Sequence, residues 1–233
     1  MEVRRIVDSM APWDLIDLYR QEIPFSEHKI NEHLKKCSRM LYDSHKELTI
    51  FRPVEFKRKS GFNIVVQAFD RGTSFPKKER PGFLLYFWFN YRGGISAIKP
   101  LEHQEYGLIL SFLTSHFLER FRERALKNVS IPKPEVINQF FVRNPKRAAQ
   151  YHPSEKYPNN AYMVCNDGIC MVEAKDLFII YKTFLSWEQV SANQKGISVS
   201  VLKAAAMMGE PINVPEDMID EEDVKLTDLN NEI

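Results

Sequence analysis

Apolar and polar positions divide the chain into stretches of differing period. Residues 12–20 and 26–44 carry helical spacing, the second with Ile30, Leu34, Cys37 and Leu41 on one face and Ser26 placed as its N-cap. They predict two helices acting as a packing layer. Residues 48–56, 62–69, 83–91 and 95–98 are rich in aromatic and β-branched residues, and breaks at 57–61, 71–82 and 92–94 separate them. Such runs predict an antiparallel meander of four strands. Its loops gather charge, with Lys57, Arg58 and Lys59 in one turn and Lys77, Lys78 and Arg80 in another, as a solvated turn also would.

After Pro100 the spacing turns helical over residues 106–126 and again over 134–142, where Pro134 suits a first helical turn. Residues 144–160 form a long polar connection mixing Arg147 with Tyr151 and His152, which reads either as a mobile lid over a polyanion or as an ordinary surface loop. A second meander follows at 161–165, 169–173 and 177–185, with turns at Asn166–Gly168 and Ala174–Asp176. Residues 187–208 are helical with a break near Gly196, and the chain from Pro211 is too acidic and too poor in aromatics to order itself. The expected class is α+β. Residues 1–100 supply helices and antiparallel strands, 101–209 a helix-helix-antiparallel-sheet unit, and 210–233 a disordered acidic tail.

At 233 residues with 44% hydrophobic positions, the chain can build one generous core or two small ones. Its longest apolar run, residues 83–89, falls far short of the roughly 20 residues a membrane helix needs. The first residues lack an apolar signal core, so the expected compartment is the cytoplasm and no membrane partner is expected. Cys37, Cys165 and Cys170 include no CxxC pair, which argues against a disulfide framework or a zinc cage; no cofactor or metal is expected. Cys165 and Cys170 flank a turn and would face each other across a hairpin as packing groups.

Charge is unevenly spread. Residues 210–233 hold nine acidic residues against Lys225 alone, so behind the overall +1 stand a tail of −8 and a remainder of +9. An anionic partner suits that remainder, and the charge alone does not identify it as nucleic acid.

One row of side chains gives that partner a chemistry. On a helix, His116, Arg120 and Arg124 fall four apart along one face, bordering an apolar stripe of Leu110, Leu113, Phe117, Phe121 and Ala125. Glu119 and Glu123 point to the watery side. The row, a short helix at 135–141 and a meander ending in Lys182 and Thr183 together resemble the barnase/EndoU/colicin/RelE-like nuclease superfamily, whose members include phage- and toxin-associated proteins. The resemblance covers residues 101–194 and leaves 1–100 unexplained. It implies a metal-independent ribonuclease that cleaves by transesterification, with His116, Arg120, Arg124 and Thr183 as catalytic residues.

That chemistry needs a group to take the ribose 2′-OH proton, a group to protonate the leaving oxygen, and cations to stabilise charge on phosphorus. His116 would serve as base or acid, while Arg120 and Arg124 clamp phosphate oxygens. Thr183 would donate to the phosphate, and Lys182, Tyr151, His152 and Arg147 would bind substrate. The second acid/base is absent from the row, and the loop offers His152 or Tyr151. The same residues fit plainer roles, with the arginines bonded to Glu119 or Glu123. Three readings therefore stand: an RNase-like enzyme, an inactive nucleic-acid or protein binding module of the same fold, and an interaction or regulatory protein whose acidic tail and N-terminal helices contact a protein partner or inhibitor. In the second, the acidic tail would lie over the basic site and restrain it.

Overall fold

The structure, a computed structural model, describes residues 4–42, 50–70, 72, 81–103, 107–145, 147–151, 159–190, 212, 214, 215 and 218. The chain is mixed α and β and divides into two compact units, Met1–Pro100 and Leu101–Ile233.

In the first unit a single helix, α1 (Pro12–Tyr42), replaces the expected pair, and Pro24 lies inside it. Its buried positions explain the continuity. Leu15, Tyr19, Glu22, Ser26, Ile30 and Cys37 recur at helical spacing through the proline, so one face is covered on both sides of it. Ser26 is therefore no N-cap; its hydroxyl donates back to the Glu22 carbonyl at 2.8 Å. Beneath the helix, β1 (Val54–Lys57), β2 (Asn63–Asp70), β3 (Pro81–Tyr91) and β4 (Gly94–His103) form the expected antiparallel meander. Ile64, Phe87 and Ile98 stand in register across it, and Tyr19 meets Phe87 edge-on at 5.1 Å. Residues 48 and 49 and the loop carrying Lys77, Lys78 and Arg80 lie outside the described residues.

The second unit runs β5 (Gly107–Leu113), α2 (Ser115–Arg124), α3 (Lys133–Arg143), β6 (Ala148–Tyr151), β7 (Asn160–Cys165), β8 (Gly168–Lys175) and β9 (Phe178–Ser186). Its strands lie in the order β5-β9-β8-β7-β6, and β5 runs parallel to β9 while the other pairs are antiparallel. Residues 107–113 are thus a strand, not the first half of a helix. Leu110, Ser111, Phe112 and Leu113 are all buried, so both faces of β5 are covered and the alternation that marks a half-buried strand is lost. The core is a ring cluster in which Phe117 and Phe121 of α2 and Phe140 of α3 meet Tyr181 and Phe184 of β9 at centroid distances of 5.1 to 6.3 Å.

Two further expectations change. Part of the polar connection at 144–160 pairs as β6 with β7, so it is not one continuous loop. Ile212 and Met218 of the tail are buried against Val164, Ile169 and Val190, with Val214 beside them; apolar residues among the acids find a sheet face to cover. The rest of the tail, and the helix expected over 191–208, lie outside the described residues. No helix among the described residues is long and apolar enough to cross a membrane.

Candidate functional site

Thr114 starts α2 and ties it to the sheet. Its hydroxyl accepts the Phe117 N–H at 3.1 Å and donates to the Tyr181 carbonyl at 2.9 Å. The cap fixes the rotation of the helix, so Phe117, Leu118 and Phe121 turn inward. His116, Arg120 and Arg124 then spiral from solvent towards the core. His116 is exposed. Arg120, with 40% of its side chain exposed, pairs with Glu123 at 2.9 Å. Arg124 is half-buried, and its Nη1 donates to the backbone carbonyl of Phe184 at the end of β9.

Below His116, Lys133 donates to Glu119 at 2.8 Å and to the Ser115 hydroxyl at 3.1 Å. That hydrogen bond from Lys133 holds the Glu119 carboxyl below its ordinary range against the opposing effect of desolvation, and the charges of Lys133, Arg122 and His116 add to it. Glu119 is thus an ion-pair partner at neutral pH and no proton donor.

A bulge in β9 decides where the late-strand residues point. Met171 pairs with Thr183 and Val172 with Tyr181, so Lys182 is the extra residue. The insertion reverses the alternation, and Tyr181 and Phe184, three apart, both pack on Phe117. Thr183 lies in register with Met171, and Met171 with Tyr162, on the opposite face, where Tyr162 and Leu185 pack against Val164, Ile169, Ile212 and Met218. The α2 row and Thr183 therefore stand on opposite faces of the sheet. Lys182 pairs with Glu173.

The remaining expected binding residues disperse. Arg147 lies over the rings of Phe140, Phe141 and Tyr181 at 5.5 to 6.0 Å and donates to the Asn144 carbonyl at 2.8 Å, closing one end of the core. Tyr151 ends β6, and His152 lies outside the described residues. The Cys165 and Cys170 sulfurs sit 3.8 Å apart as buried free thiols, and burial, reinforced by Cys165, pushes the Cys170 thiol well up. Cys170 packs as a neutral group.

A second polar cluster, in the first unit, went unread in the sequence. Glu22, with 8% of its side chain exposed, accepts from Arg58 Nε at 2.6 Å and from the Ser60 hydroxyl at 2.8 Å. The Arg58 guanidinium lies 3.7 Å above the Phe25 ring and keeps 32% of its side chain exposed. Its backbone N–H donates to the Phe62 carbonyl at 2.8 Å, while Gly61, at φ 99, closes the turn. Lys57 and Lys59 on either side are exposed, with no ion pair among the described residues. The available signal was Glu22 itself, a carboxylate at a core position of the α1 stripe.

No protein-family model matches the chain, no curated protein matches it, and no solved structure matches it.

Proposed function

We propose that the chain is a nucleic-acid-binding module that does not cleave its ligand. One observation carries the reading: among the described residues, the groups that metal-free RNA cleavage would need do not converge. Arg124 is spent on the Phe184 carbonyl, Arg120 is paired with Glu123, and Thr183 stands on the other face of the sheet. Binding needs no such convergence. The +9 balance of residues 1–209 suits a phosphate backbone, which cations recognise without an acid–base pair. The tail of −8 would compete for those cations and restrain binding at low salt. This is the inactive form of the nuclease-like fold that the helix-then-sheet order resembles.

A ribonuclease remains the second reading, favoured by His116 and Arg120 both reaching solvent on one helix face. An exposed pair such as Arg120–Glu123 is worth about 0–1 kcal/mol and would yield to a phosphate. The test uses the full chain with a labelled 20-nucleotide RNA and no added metal. Salt-dependent binding with RNA ends left intact is the expected result. Release of 2′,3′-cyclic phosphate ends, abolished in His116→Ala at unchanged stability, would establish the enzyme instead.

A further inference from the structure

The two units use their positive charge differently. In Leu101–Ile233 the described cations largely answer to carboxylates: Arg120 to Glu123, Lys127 to Glu188, Lys133 to Glu119, Arg143 to Asp167 and Lys182 to Glu173. Around the turn between β1 and β2, among the described residues, Arg58 alone does so, pairing with Glu22. Lys57 and Lys59 are exposed without an ion pair among the described residues. The Ile6 N–H donates to the Ser60 carbonyl at 2.8 Å, which draws exposed Arg5 alongside the same turn. From this geometry we infer a phosphate-backbone binding surface at the β1–β2 turn, centred on Arg58 and flanked by Arg5, Lys57 and Lys59.

Arg58 is what distinguishes this turn from a merely solvated one. A buried carboxylate and a ring face hold the guanidinium, and only its Nε–H is consumed, so its terminal N–H groups have no protein acceptor among the described residues. A guanidinium fixed in advance loses little rotamer freedom when it meets a phosphate and presents two parallel donors to it. Glu22, the carboxylate bonded to Arg58 among the described residues, lies buried beneath it, and exposed Glu55 on β1 accepts from Trp88 Nε1, so Lys57, Arg58 and Lys59 leave the turn with a net positive charge.

The chemistry points to nucleic acid rather than to protein or membrane. A protein interface is built around an apolar centre, and peripheral membrane binding needs apolar side chains to insert. Among the described residues the exposed large apolar ones are Val7, Trp13, Ile50, Phe83 and Val129; none belongs to the turn 57–61, and Val7, near Arg5, is a single side chain and no apolar centre. Four cations about one turn can contact a run of phosphates without reading bases, which predicts strong salt dependence and little sequence preference.

This surface rests on the nucleic-acid-binding reading, and the experiment separates the two. Fluorescence anisotropy is measured with the full chain against a 20-nucleotide RNA and a 20-base-pair DNA duplex from low to moderate salt. The variants are Lys57→Gln/Lys59→Gln together and, as a control on the other unit, Lys175→Gln; all three positions are exposed, so folding is retained. The double variant should bind both probes at least about tenfold more weakly, with the slope of log affinity against log salt reduced by about two, one for each phosphate contact. Lys175→Gln should match the wild type. Unchanged binding in the double variant overturns this placement and leaves the binding reading standing, whereas no binding of the wild type to either probe overturns both. Wild-type binding confined to phosphatidylserine vesicles would assign the surface to membranes and overturn it as well.

Discussion

Replacing Arg58 with methionine tests whether the first unit is clamped by an ion pair at the edge of its core. The substitution leaves the Glu22 carboxylate, 8% exposed, with the Ser60 hydroxyl at 2.8 Å as its remaining side-chain partner. Removing one partner of a fully buried pair costs about 3–5 kcal/mol. Here Arg58 is 32% exposed, so water can enter the vacated space, and methionine keeps apolar contact with Phe25. The expected cost is therefore about 2–3 kcal/mol. Glu22→Gln removes the buried charge itself, so the double variant should be less destabilised than the sum of the singles, by about 1–2 kcal/mol of coupling. Urea unfolding at neutral pH reads each value from the midpoint at constant slope. A loss under about 0.5 kcal/mol for Arg58→Met, or strict additivity of the two changes, would refute the clamp and with it the claim that Arg58 is held in advance for a ligand.

Three further outcomes follow from local geometry. Arg124→Met removes a charged donor to the Phe184 carbonyl and should cost about 1.5–3 kcal/mol in urea unfolding; nucleic-acid affinity should stay within about twofold, and a much larger loss would return Arg124 to the binding site. Gly168→Ala should destabilise by more than about 3 kcal/mol, because an added Cβ would meet the Leu185 carbonyl at 2.1 Å and φ is 150; a thermal midpoint near wild type would show that β8 and β9 can separate there. His33 is held below the ordinary imidazole value of 6.5 by burial first and by Lys36 second. The unfolded chain therefore binds the proton more readily, and the His33 contribution to stability is complete above that value and is lost as pH falls below it. Thermal unfolding between pH 7.5 and pH 5.5 should show less loss in His33→Gln than in the wild type, and equal loss would remove His33 as the cause.

The strands of both meanders were legible because short aromatic and β-branched runs ended at turns that the backbone does use, such as Arg92 and Gly93, both at positive φ. Two elements were hidden by what they bury. The α1 stripe contains Glu22 and Ser26, so its apolar pattern breaks into two although its buried face does not. Residues 110–113 have both faces covered, and a run buried on both faces carries no period by which strand and helix can be told apart.

The candidate site was legible only in bearing. Spacing of four places His116, Arg120 and Arg124 along one helix face, and α2 does present them so. What each side chain reaches depends on elements far along the chain: Arg124 meets a carbonyl 60 residues away, and the Glu22 clamp closes on residues 36 and 38 positions later. Pairing of this kind leaves no periodic trace. The bulge at Lys182 is the sharper case, because one inserted residue exchanges the two faces of the end of β9 and carries Thr183 away from the helices. With the faces exchanged, Thr183 and the arginines of α2 stand on opposite sides of the sheet, and the β1–β2 turn, where Lys57 and Lys59 have no ion pair among the described residues, becomes the better place to look for a ligand.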